Sequence, residues 1–354
     1  MNFIEKTSEY VKNNERLKTS FISTYVMSLI TNAFIYLNPV YAHDSCSLST
    51  WPCYNSYTAA RWFQSYLYNI TDWTNATWLS GLLSTFFMFI AVYEIIVCID
   101  IKKNINIWLV AALCVTDATA IATNLYGEQY VIFAALLFGC VSARMMISSN
   151  IRNRFIRSII IILLACLCAA TYGVYFAVIP TLVLMSLVID IFRSKSSKQV
   201  VSNGLLCLAQ MFAGLLLYFI ILQLFLKKGS QGLQHYYGED NLSKASTSLS
   251  GLKYVPEVYK NFVKYYLGMK PYRFVPTILS VLIVIATLFL MVIVFYTKRN
   301  SIANKKTNII VMIIICKRQV LSDKKWKLFS SSFWQIKSST FWYSTHGIIR
   351  GIFY

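Results

Sequence analysis

The sequence predicts an all-α polytopic membrane protein with about eight or nine transmembrane helices, and three observations predict it. Hydrophobic residues make up 57% of the 354 positions and charged residues only 13%, with a mean hydropathy of +0.54, too apolar for a soluble fold. Apolar runs recur at lengths near the roughly 20 residues a helix needs to cross about 30 Å of hydrocarbon. Lysines and arginines gather in every second connection between those runs, the positive-inside pattern.

Taken in order, the runs cover about 20–38, 79–99, 107–124, 131–147, 158–172, 175–192, 203–226 and 273–297, and a ninth begins near 308. Residues 1–19 form a cytoplasmic segment carrying Lys6, Lys12, Arg16 and Lys18. This basic start, with Val40-Tyr41-Ala42 before His43, also resembles a cleavable signal peptide. The run over 21–36 is, however, interrupted by Ser23, Thr24, Ser28, Thr31 and Asn32. That pattern suits a helix that packs on neighbours through small polar groups, so the first span is expected to stay uncleaved.

The basic connections are Lys102-Lys103, Arg144 to Arg157, Arg193 to Lys198 and Lys298 to Lys306, all on the side of the N-terminus. Connections 39–78 and 125–130 hold Arg61 as their only lysine or arginine and are expected outside. Loop 227–272 carries several lysines, but long loops translocate largely regardless of charge. The net charge of +19 is therefore accounted for by topology, and no nucleic-acid partner is expected.

Cys98, Cys114, Cys140, Cys166, Cys168, Cys207 and Cys316 lie in or beside apolar runs and read as small buried hydrophobes. Cys46 and Cys53 share the outer loop around Trp51-Pro52, where an oxidising exterior permits a disulfide between them. No cysteine and histidine spacing resembles a zinc site, and no glycine-rich phosphate loop is present.

Two charges are unexplained by topology: Asp44 and Arg61, just outside the first span. A carboxylate and a guanidinium held at a membrane surface can act on a phosphate. Acids within spans are rare and commonly functional. Asp117, about ten residues into the third run, reads as a cavity residue or a helix-packing acid. Glu94, late in the second run, reads as reaching water or a lysine such as Lys102 in a structural pairing, with catalysis the alternative, and Asp190 is expected to pair with Arg193. Glu128, in the short outer connection, either converges with Asp44 over one cavity mouth or is a solvated loop carboxylate. Asp72 and Glu239-Asp240 are ordinary loop acids. The outer aromatics Trp51, Trp62, Tyr66, Tyr68, Trp73 and Trp78 either form an interfacial belt or stack on sugar faces.

The apolar first span, the outer segment His43-Asp44-Ser45, Arg61-Trp62 followed by Tyr/Leu-rich sequence, Tyr126-Gly-Glu-Gln-Tyr130 and the bend Thr171-Tyr172-Gly173-Val174-Tyr175 together resemble the phage-type O-antigen (lipopolysaccharide) glucosyltransferase family of serotype conversion. The resemblance covers roughly residues 20–300 through local motifs and topology. It implies a C-type glycosyltransferase-like bundle in the bacterial inner membrane, with the N-terminus cytoplasmic and the active site periplasmic. Its donor would be polyprenyl-phosphate glucose and its acceptor O-antigen, with a donor flippase and a donor synthase as further partners. It implies Asp44 as general base, Glu128 as second acid and Arg61 as the donor-phosphate contact. His43, Trp62, Asp117, Tyr172 and Tyr175 are the substrate-binding candidates. Ser45 stands where a second acid is often found and Ala60 where glycine is commoner, and the resemblance assigns no certain cofactor and leaves a divalent metal open. An O-antigen polymerase, another lipid-sugar transferase and a non-enzymatic lipid-linked-sugar translocase are the competing readings.

The transmembrane core is expected over 20–307. Beyond it, the apolar run 308–316 is too short to span as a helix. It gives way at Lys317 to a basic, serine- and aromatic-rich tail without helical period, expected to be out-of-frame sequence on an incomplete form or, alternatively, a tail lying on the cytoplasmic leaflet.

Overall fold

The computed structural model describes residues 13–38, 59–69, 76–124, 129–148, 153–193 and 196–228, with isolated helical positions at 282, 285, 286, 289 and 293. His43, Asp44, Cys46, Cys53, Glu128, the seventh-to-eighth connection and the tail lie outside the described residues. So does most of the run expected over 273–297.

Every described element is helical, and there is no strand among the described residues. The helices are α1 (Glu15–Leu37), α2 (Gln64–Tyr68), α3 (Thr77–Cys98), α4 (Asn104–Thr116), α5 (Ala118–Asn124), α6 (Gln129–Ile147), α7 (Arg154–Tyr172), α8 (Val178–Phe192) and α9 (Ser197–Lys228). A 3-10 turn, Gly173–Ala177, joins α7 to α8. Five apolar segments are long enough to cross a bilayer, counting Arg154–Phe192 as one, and α4 is a shorter apolar helix. The described residues thus support a membrane protein but do not reach the expected eight or nine spans.

The helices from 15 to 189 and from 202 to 228 belong to one compact unit. Within it α1 lies against α3 and α4, α3 against α6, and α6 against α7. The first helix is built inside out relative to a soluble one. Ser20, Ser23, Thr24, Ser28, Asn32 and Tyr36 recur every three or four residues and are buried, whereas Phe21, Ile22, Leu29, Ile30 and Phe34 face outward. Thr31, expected on the packing face, is only partly covered. Ser28 Oγ bonds to Tyr36 and to Thr85 of α3, each at 2.9 Å, so the stripe is glue between helices. Gly81 allows the close approach, because a Cβ there would fall 2.5 Å from the Tyr36 ring.

One end of this unit carries the ion pairs. Asn14 caps α1 by accepting from Leu17 N at 3.1 Å and donates to Tyr93 Oη at 2.9 Å, so α1 starts where α3 finishes and the two are antiparallel. Arg16 meets Asp100 at 3.2 Å. Glu94 pairs with Arg144 of α6 at 3.7 Å, which corrects the expected partner. Lys102 sits beyond the turn that ends α3 and reaches Asp100 at 3.9 Å instead. Arg144 wins because α6 runs parallel to α3, bringing a guanidinium to the same level.

The third apolar run is not one helix, contrary to expectation. Asp117 adopts an extended conformation (φ −56°, ψ 135°) that ends α4, and its carbonyl accepts from Ile121 N at 3.0 Å to start α5. An aspartate at such a junction is an N-cap residue. The 39-residue apolar run Arg154–Phe192 is likewise broken, by extended Tyr172 (φ −156°, ψ 91°) and the 3-10 turn. As a single helix it would measure about 58 Å, roughly twice the hydrocarbon thickness. The two separate helices agree with the expected pair 158–172 and 175–192.

The second unit comprises 190–201 and 233–354. Its described residues include buried Ile191 and Val200. The helical positions Leu282, Ile285, Ala286, Phe289 and Ile293 share one exposed face at three- and four-residue spacing.

Candidate active site

Opposite the ion pairs, segment 59–69 folds onto the ends of three helices. Phe63 N donates to Ala170 O of α7 at 3.1 Å. Tyr130, at the start of α6, donates its hydroxyl to Leu67 O at 3.1 Å, and Leu67 and Tyr68 are buried with Tyr130, Val131 and Ala134. Tyr218 of α9 donates to Ala60 O at 2.8 Å, and Trp62 stacks on Phe225 of the same helix, with centroids 5.7 Å apart and planes at 19°. Segment 59–69, part of the connection expected over 39–78, is therefore tied to α6, α7 and α9.

The consequence is the position of Arg61. Its guanidinium carbon lies 4.8 Å from the centroid of the Tyr172 ring, within cation–π range. Tyr172 contacts Tyr175 at 5.9 Å between centroids. The Tyr175 hydroxyl is hydrogen-bonded to the Thr123 side chain of α5 and lies within electrostatic range of Asp117. Arg61, Tyr172 and Tyr175, all singled out in the sequence, thus form one group drawn from two separate segments, with Asp117 of a third within electrostatic range of Tyr175.

Both helix breaks serve this group. At 1.5 Å per residue, the 19 residues of α7 place Tyr172 about 28 Å from the ion-paired end, and the 13 residues of α4 place Asp117 about 20 Å from it. Asp117 is exposed at the α4–α5 break, in an apolar run where acids are rare and commonly functional. A site that combines a guanidinium over an aromatic ring, two tyrosines and a nearby carboxylate can grip a phosphate and hydrogen-bond a polyol. The N–H donors of a guanidinium lie in its plane and match phosphate oxygens.

Trp62 has a different setting from a sugar platform. It is 9% exposed, with Phe225 on its face and the edge of Phe63 at 5.9 Å, and its Nε1 has no hydrogen-bond partner among the described residues. Of the other outer aromatics, Tyr68 is buried while Tyr66 and Trp78 are exposed. His43, Asp44 and Glu128 cannot be placed relative to the group, because they lie outside the described residues. Sequence reasoning missed Tyr218, Phe225 and Thr123. For Tyr218 there was one signal, a hydroxyl between Leu217 and Phe219 in an otherwise apolar stretch.

No group of three or more potential metal ligands occurs among the described residues. The buried cysteines Cys98, Cys140, Cys166, Cys168 and Cys207 are free thiols, as expected of small hydrophobes.

No curated protein and no solved structure matches the chain. The family model described as Glucosyl transferase GtrII matches residues 33–322, which takes in segment 59–69, both helix breaks and the connections 39–78, 125–130 and 227–272 and stops a few residues beyond Lys317. Matched over most of its length, the chain belongs to the GtrII glucosyl transferase family.

Proposed function

We propose that this membrane glucosyltransferase moves glucose from a polyprenyl-phosphate donor to O-antigen at the periplasmic face of the bacterial inner membrane. The observation that carries the reading is Arg61 held over Tyr172 at 4.8 Å at the end of the bundle opposite the ion pairs. In the proposed reaction an acceptor hydroxyl attacks the anomeric carbon while Asp44 takes its proton. The bond from that carbon to phosphate oxygen breaks, and Arg61 stabilises the charge arriving on the leaving polyprenyl phosphate. A single displacement inverts the anomeric configuration. Glu128 is the second acid, His43 lies beside the base, and Asp117, Tyr172 and Tyr175 bind glucose hydroxyls. Trp62 supports Arg61 by packing. The outer compartment lacks nucleotide sugars, so a donor synthase and a flippase supply the lipid-borne sugar.

The translocase reading needs polar groups lining a path through the bilayer. The long polar stripe of α1 is instead buried against protein, with Ser20, Ser23 and Ser28 hydrogen-bonded within the fold. Mass spectrometry of O-antigen from cells with and without the gene tests the proposal: a hexose increment that depends on the gene supports it, and identical O-antigen would refute it.

Two further outcomes are expected. Cysteines substituted at Asn75 and Lys103 should be labelled from opposite sides of the membrane, Asn75 from the periplasm, since the basic connections place 39–78 outside and 100–106 inside. Labelling of both from one side would overturn the topology. Deletion of 317–354, most of it beyond the family match at 322, should leave membrane insertion and transfer unchanged. Loss of a robust activity on that deletion would make the tail functional.

A further inference from the structure

We infer that Tyr218 is a positioning residue for Arg61, acting through the backbone of Ala60; the inference deepens the proposed phosphate-gripping role of Arg61 and rests on it. Ala60 has φ 60°, in the left-handed region that a residue with a Cβ rarely occupies. Such a conformation persists only where its surroundings impose it. Here the surroundings are identifiable. The Ala60 carbonyl receives the Tyr218 hydroxyl at 2.8 Å across 158 residues of sequence. Trp62 rests on Phe225, seven residues beyond Tyr218 and so on the same face of α9 after two turns. On the far side, Phe63 N is tied to Ala170 O, two residues before Tyr172.

Arg61 is thus the residue between two anchors, one on α9 and one on α7. The helices that carry the anchors meet at Gly214. A Cβ at Gly214 would fall 2.7 Å from Ala165 Cβ and 3.2 Å from Ile162 O, so α9 lies against α7 one turn below Tyr218. The turn at Ala60 decides the direction in which Arg61 leaves the backbone, and that direction brings the guanidinium over Tyr172. Without the Tyr218 hydroxyl, Ala60 is released toward an ordinary negative φ, and Arg61 swings off the ring. Glycine at 60 would occupy the same φ without a Cβ and needs less enforcement.

The test uses the full-length chain in membranes at matched levels, with two readouts. One is glucose transferred to O-antigen per molecule; the other is the rate at which phenylglyoxal modifies Arg61, read by mass spectrometry of the peptide that contains it. Tyr218→Phe should lower transfer about tenfold, the scale of one buried hydrogen bond, and speed modification of Arg61 about threefold or more. Adding Ala60→Gly to Tyr218→Phe should move both readouts back toward the parent chain, which a general packing defect would not predict. Unchanged Arg61 modification in Tyr218→Phe, or a loss that Ala60→Gly leaves untouched, would overturn the inference. If Tyr218→Phe fails to insert, Ala60→Val with Tyr218 intact makes the same test, since a β-branched residue resists φ 60°; unchanged modification there overturns it equally. If the parent chain transfers no glucose, the reaction proposed above falls, while the modification rates still decide whether Tyr218 positions Arg61.

Discussion

Asp44→Asn should abolish measurable glucose transfer while the protein inserts at parental levels. The amide keeps the volume and the hydrogen-bonding reach of the carboxylate but cannot accept the proton of the attacking hydroxyl. Loss of a positioned general base costs about 10²- to 10⁴-fold, enough to drop an O-antigen modification below detection. The control is built into the location. Asp44 follows the first span in sequence and is not one of the residues of the polar stripe that packs α1 on α3, so insertion should not depend on it. Mass spectrometry of O-antigen from cells expressing the variant at matched membrane levels gives the answer. Parental rates would remove Asp44 from the mechanism and turn attention to Asp117, the acid that lies within electrostatic range of Tyr175.

Arg61→Lys should cost nearly as much, about 10²-fold or more, the scale of losing one preorganised donor to a developing oxyanion. The substitution keeps the positive charge, so a small effect would mean that charge alone matters. The geometry argues otherwise. A guanidinium can sit over the Tyr172 ring, as here at 4.8 Å, and still present forked donors to two phosphate oxygens, whereas an ammonium is a compact point charge without that fork. Arg61 is also the only arginine or lysine in 39–78, so no neighbour in that loop can substitute for it. Transfer assayed against donor concentration distinguishes the contributions: a rise in KM alone would indicate ground-state binding of the lipid phosphate, and a fall in kcat would indicate charge stabilisation in the transition state. Parental kinetics in Arg61→Lys would end its assignment as the phosphate contact.

Much of this was legible in the sequence, for a definable reason. Hydropathy and the placement of lysine and arginine act over whole segments, so the membrane class and most helix positions followed from composition and spacing. The inward polar face of α1 was readable because Ser23, Thr24, Ser28 and Asn32 repeat at helical spacing. The family followed from short motifs that the match over 33–322 covers. Arg61 and Asp117 stood out because each is a charged group in a place that topology does not require, whereas Tyr172 and Tyr175 were singled out only through the family resemblance of their bend. Asp44 and Glu128 stood out for the same reason as Arg61 and Asp117.

What the sequence could not determine is which of these residues meet. The partner of Glu94 depended on α6 running parallel to α3, which put Arg144 and not Lys102 at its level. The break at Asp117 was hidden because an apolar run reads as continuous when one polar residue interrupts it, and only the extended backbone there shows two helices. The setting of Arg61 was the least legible. It depends on a left-handed alanine, on a tyrosine 158 residues away and on the contact of α7 with α9 at Gly214. Sequence fixes what each residue can do through its own chemistry and through neighbours within a few turns of helix. Contacts between distant segments are selected jointly by packing, so the joining of Arg61 to Tyr172 and Tyr175 was decided only by the tertiary structure.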